Sequence, residues 1–129
     1  MWRFALIVLG TAAAGSLAGT LVLGLLAGGT GSPDQVGSVL SFSRFTMVFT
    51  VPGAIMLVGL QAMLLERGFS RPITSVLIIL AGGVAGGLVL GFLSLALASV
   101  SVGALYGTLT AIAFILLQML PGLSPEAAR

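Results

Sequence analysis

The sequence predicts an all-α integral membrane protein with four transmembrane helices, and three observations carry that expectation. Of its 129 residues, 58% are hydrophobic and 6% charged, against about a quarter charged in a soluble domain. Eight charged side chains (Arg3, Arg44, Arg67, Arg71, Arg129, Asp34, Glu66 and Glu126) are too few to cover a water-soluble globule of this size. Four stretches reach the length of about 20 apolar residues that a helix needs to cross a hydrocarbon core of about 30 Å. None of them has Asp, Glu, Lys or Arg in its interior.

The predicted spans are 4–29, 45–65, 73–97 and 102–120, in one domain over 1–129. Met1-Trp2-Arg3 followed by an apolar run, with Ala12-Ala13-Ala14 as a cleavage site, is the pattern of a signal peptide. The run continues through Leu26, however, so it reads as a retained span. Before the second span, Ser32-Pro33-Asp34-Gln35 places a capping serine, a proline and an acid where a helix starts. Either the second helix begins near Pro33, or a separate interfacial helix covers 33–41 with a break at Gly37 or Ser41. Gly68, just after Glu66 and Arg67, is the expected left-handed terminator. Pro72 opens the third helix, and Pro121-Gly122 stops the fourth.

Orientation follows from arginines in the short flanks. Arg3, Arg67, Arg71 and Arg129 fall on one side of a four-span chain and Arg44 alone on the other. Both termini are therefore expected in the cytoplasm. The complete absence of Lys and Asn, whose codons are A-rich, suggests a GC-rich bacterial genome and hence the inner membrane.

Absences exclude several chemistries. Without Cys there is no disulfide or thiolate, and without His no near-neutral general base and no common transition-metal ligand. Every carboxylate lies in a loop or tail, so no nucleophile has an activating base beside it. The expectation is a protein that is not an enzyme and takes no cofactor. The net charge of +2 comes from arginines scattered along the chain, with no cluster to grip nucleic acid. Four-span multidrug exporters rely on a glutamate inside the first helix, and here that helix has no acid.

Small residues form ridges at four-residue spacing. The first span carries Ala12, Ser16, Thr20, Gly24 and Gly28; the third Gly83, Gly87 and Gly91; the fourth Gly103, Gly107 and Ala111. In lipid little hydrophobic force draws helices together, so close backbone approach through such residues is the main packing device. The third-span ridge is expected to face another helix. Residues 14–27 and 81–94 also align without gaps, with nine of fourteen positions identical. A weaker match joins Ala54, Ile55, Leu60 and Gln61 to Ala111, Ile112, Leu117 and Gln118. The pattern reads either as a tandem two-helix repeat, 10–65 and 77–120, or as convergence on glycine ridges.

Three further groups stand out. Gln61 and Gln118 could bond across the bundle or be solvated at the interface. Pro52-Gly53 falls inside the second span, where proline removes a helical hydrogen bond and sets either a static kink or a hinge. Asp34, Arg44 and Tyr106 share one end of the bundle and could form a small polar cluster. The function expected is a non-catalytic accessory or assembly subunit of a larger membrane complex, or a homo-oligomeric scaffold. Its partners would be the bilayer and other membrane subunits or itself. The alternative is a small channel or transporter for an uncharged or weakly polar solute.

Overall fold

The computed structural model describes residues 1–26, 28, 33–94 and 97–120, with the side chains at 33–36, 38–39, 45, 94 and 97–99 outside that description. Its helices are α1 (Trp2–Leu26), α2 (Pro33–Glu66), α3 (Arg71–Ser94) and α4 (Leu97–Gln118). All four are long and apolar enough to cross a membrane, which is consistent with a multi-pass membrane protein.

Of the two readings open for 33–41 the structure has the first, and three boundaries differ from the predicted spans. The segment 33–41 is neither separate nor broken: α2 is one helix of 34 residues, about 51 Å long at 1.5 Å per residue. It therefore extends well beyond its membrane stretch, Thr46–Glu66. The first helix ends at Leu26 instead of 29, and Gly28 leaves the ridge to take a left-handed conformation, φ +82°. The third helix is described only to Ser94, short of 97. Finally, 98–101, read as a loop, belongs to α4, which starts at Leu97 and ends at Gln118. Hydropathy marks where a helix is apolar, whereas hydrogen bonding continues it into the interface.

The turn between α2 and α3 forms as its sequence requires. Gly68 has φ +79°; its amide donates to the Leu65 carbonyl at 3.0 Å, and the Phe69 amide reaches back to Leu64 at 3.2 Å. These two bonds make a Schellman closure, which satisfies carbonyls that an abrupt helix end would leave bare. At the start of α1, Arg3 lies 5.7 Å over the Trp2 ring, a cation–aromatic contact.

In the bundle α1 packs against α2 and α4, and α3 packs most extensively against α4; the α2/α3 seam is much sparser. The α3/α4 interface is built on glycine. A Cβ on Gly82 would lie 2.6 Å from the Gly107 carbonyl oxygen and 2.8 Å from the Ala111 methyl, and Gly86 meets Gly103 in the same way. Backbones this close gain dispersion contacts along their length, the attraction available in a medium as apolar as the side chains. Toward the end of the bundle that carries the Gly68 turn, Phe114 and Ile78 are fully buried with Ala111 and Leu57, and Ile7, Val58 and Ile115 pack around them.

Candidate functional site

The polar side chains inside the bundle gather where α1, α2 and α4 meet. Ser16 of α1 is fully buried, and its hydroxyl donates to the Ser43 carbonyl of α2 at 2.6 Å. The Ser43 hydroxyl lies 3.2 Å from it and the Thr46 hydroxyl also touches it, while Thr46 donates to the Ser43 carbonyl at 3.0 Å. One turn further along α2, the Thr50 hydroxyl reaches the Ala12 carbonyl of α1 and the Met47 carbonyl of its own helix, both at 3.3 Å. Spacings of three and four put Ser43, Thr46 and Thr50 on one face of α2, against Ala12 and Ser16 of α1.

On the other side of α1 stands Tyr106 of α4. Its ring lies on Gly19, where a side chain would collide with it, and its hydroxyl is 2.8 Å from Thr20. Thr20 has one proton and donates it to the Ser16 carbonyl at 2.8 Å, so Tyr106 is the donor in the pair. One turn along α4, Thr110 donates to the Tyr106 carbonyl at 2.7 Å and fills the space opposite Gly15. The junction is thus a strip of hydroxyls bonded to one another and to carbonyls. Two hydroxyls differ: those of Thr11 and Thr74 are buried and have no hydrogen-bond partner among the described residues.

At the end of the bundle where Gly68 reverses the chain, α2 and α4 are joined directly. Gln61 donates its amide to the Gln118 oxygen at 2.6 Å, and Gln118 returns the bond at 2.7 Å. A reciprocal amide pair satisfies a donor and an acceptor on each partner where water is scarce. Of the two readings open from sequence, the structure has the cross-bundle bond.

The expected polar cluster is not assembled among the described residues. Tyr106 is buried on Thr20 and Arg44 is exposed, while the side chain of Asp34 lies outside the description. A phenol in the interior takes a neutral hydroxyl partner, and a guanidinium held at the interface stays hydrated. Pro52 stays within the continuous α2, and a Cβ on Gly53 would meet nothing within 4 Å. Thr50 bonds to Met47 and Ala12 rather than to the Val48 carbonyl that Pro52 leaves without its helical donor.

The glycine ridges fall as follows. Gly83 faces Thr108, and Gly87 and Gly91 face Val100, so this ridge flanks the α3/α4 contact. The contact itself runs through Gly82 and Gly86 against Gly107 and Gly103. Gly24 is half-buried in the last turns of α1. The third-helix ridge thus faces another helix, as expected, while the closest backbone approach falls on the neighbouring Gly82 and Gly86 of the two glycine doublets. Spacing alone leaves the register open, since 82 with 107 and 86 with 103, 83 with 107 and 87 with 103, or 87 with 107 and 91 with 103 each set glycine against glycine twice; the structure has the first. Ser43 was also missed, since it precedes the predicted span. Compared with known protein families, curated proteins and solved structures, the chain matches none.

Proposed function

We propose that this chain is a non-catalytic component of the inner membrane, acting as an assembly subunit of a larger membrane complex or as a scaffold that associates with itself. The observation that supports this reading most is how its polar and apolar groups are divided. The interior hydroxyls of Ser16, Ser43, Thr46, Thr50, Thr20, Tyr106 and Thr110 are all hydrogen-bonded within the bundle. The outer face of α3 presents Val76, Leu80, Val84, Leu88 and Phe92 at four-residue spacing, each more than half exposed. Such a stripe suits contact with lipid or with another membrane helix. Native mass spectrometry of protein extracted with its own lipids tests the reading: a stoichiometric foreign subunit or a defined homo-oligomer is expected, and a monomer would overturn it.

A second reading, a conduit for an uncharged or weakly polar solute, draws on the buried Thr11 hydroxyl that lacks a partner among the described residues. An unmatched hydroxyl in an apolar interior costs about 1–3 kcal/mol, which a bound solute or water would relieve. Light scattering from proteoliposomes given glycerol or urea gradients tests it, with faster swelling than protein-free vesicles as the supporting result.

Both termini are proposed to face the cytoplasm, on the arginine asymmetry of the flanks. A fluorescent protein fused after Arg129 should be bright and alkaline phosphatase at the same point inactive; the opposite pattern would overturn the orientation. The tandem repeat is proposed on the nine identities between 14–27 and 81–94. It also draws support from the pairing of Gln61 with Gln118, which stand at the repeat offset of 57. Two-fold-related copies of one residue meet in this reciprocal way when they lie near the axis.

A further inference from the structure

We infer that the seam between α2 and α3 is a lateral gate toward the bilayer, with the Gln61–Gln118 pair as the clasp that holds its far end. The inference goes beyond both functional readings, since a seam can open whether it admits a solute or receives a partner's helix.

The other contacts around the bundle are interlocked. Between α3 and α4 the glycine backbones interdigitate, and between α1 and α4 Gly15 fits over Thr110 and Gly19 over Tyr106. Between α1 and α2 the hydroxyls of Ser16, Ser43, Thr46 and Thr50 tie the helices. The α2/α3 seam has sparse contact instead, and it opens into an apolar groove of about 690 Å³ lined by Phe49, Gly87, Gly91, Phe92, Leu93 and Val100.

In the proposed repeat, on which this step rests, the seams α1/α4 and α2/α3 occupy corresponding places. Phe49 stands 57 residues before Tyr106, the offset that relates Gln61 to Gln118. Gly87 stands 67 residues after Thr20, the offset that relates the first span to the third. Tyr106 beside Thr20 closes one seam, while Phe49 and Gly87 both line a groove in the other, with Phe49 42% exposed. One seam is shut and its counterpart is open.

The means to move are built into α2. Pro52 lies one turn from Phe49 and makes no hydrogen bond to the Val48 carbonyl, so the helix bends there at lower cost. Open space beside Gly53 leaves room for the bend. The ties from α2 to α1 all lie along one face, a line about which the helix can roll without breaking them. Beyond the bend the two glutamines join α2 to α4, so movement is confined to the half that carries Phe49.

Because the chain has no cysteine, spin labels can be placed without background. The test is double electron–electron resonance in nanodiscs, with labels at Phe49→Cys and Val89→Cys across the seam. Val48→Cys with Leu88→Cys serves as a second pair at exposed positions. Leu21→Cys with Ser101→Cys, across the α1/α4 contact, gives the reference width and reports that the bundle is folded. Two distance populations across α2/α3 and one across α1/α4 are expected. Gln61→Leu with Gln118→Leu should enlarge the longer population. A single seam distance as narrow as the reference would overturn the gate, and a double variant that leaves the populations unchanged would overturn the clasp.

Discussion

The α3/α4 and α1/α2 contacts hold antiparallel helices together by opposite means. Between α3 and α4, Gly82, Gly86, Gly103 and Gly107 remove side chains so that backbone lies on backbone. Between α1 and α2, Ser16, Ser43, Thr46 and Thr50 keep small side chains and exchange hydrogen bonds. Both solve the same problem, because hydrocarbon supplies no hydrophobic force between helices. The difference lies in tolerance: a glycine contact has no room for another atom, whereas a hydroxyl contact can lose one bond and keep its shape.

That contrast is open to direct attack. The largest effect is expected for Gly107→Leu, whose side chain would drive Gly82 away. A loss of about 3 kcal/mol, the upper part of the overpacking range, should appear in detergent unfolding. Gly87→Ala should cost far less, since its Cβ would stand 3.2 Å from the Val100 carbonyl and 3.6 Å from the Ala104 methyl. Equal losses at Gly107 and Gly87 would mean that the contact is not centred on the Gly82–Gly107 pair.

Next in size is Gln61→Leu alone, which leaves the Gln118 amide unmatched and should cost about 2 kcal/mol. Adding Gln118→Leu should recover most of that loss, because two apolar groups replace two amides. Additive losses in the double variant would show that the pair is not coupled. Ser16→Ala should be milder, about 1 kcal/mol, since Thr46 still donates to the Ser43 carbonyl and Thr50 still reaches Ala12. A loss as large as that of Gly107→Leu would erase the proposed difference in tolerance. Smallest of all is Leu88→Ile on the exposed face of α3, expected within about 0.5 kcal/mol by the same unfolding measurement.

Much of the molecule was legible before its structure. Arg3, Arg44, Arg67 and Arg71 lie outside the hydrophobic interiors of the spans, and Gly68 closes α2 with the left-handed turn its position implied. Those features depend on residues within one or two turns of each other. The candidate site was legible only in part. Ser16, Thr20 and Tyr106 were recognisable as polar groups in apolar helices, but nothing local said that Tyr106 would pair with Thr20. Ser43 was hidden because hydropathy began the span two residues later, while the helix itself runs back to Pro33.

What the sequence determined by itself is the set of spans, their order and the end of α2, because hydropathy, length and turn chemistry are properties of short stretches. The tertiary structure decided which face of each helix looks inward. A soluble helix announces that face by an apolar stripe, but these helices are apolar on nearly every side and carry no such mark. Rotation about each axis is set by where backbones approach closest and where scattered hydroxyls find partners. Both are pairwise properties of helices far apart in the chain: Gly82 is an ordinary glycine until Gly107 lies across from it.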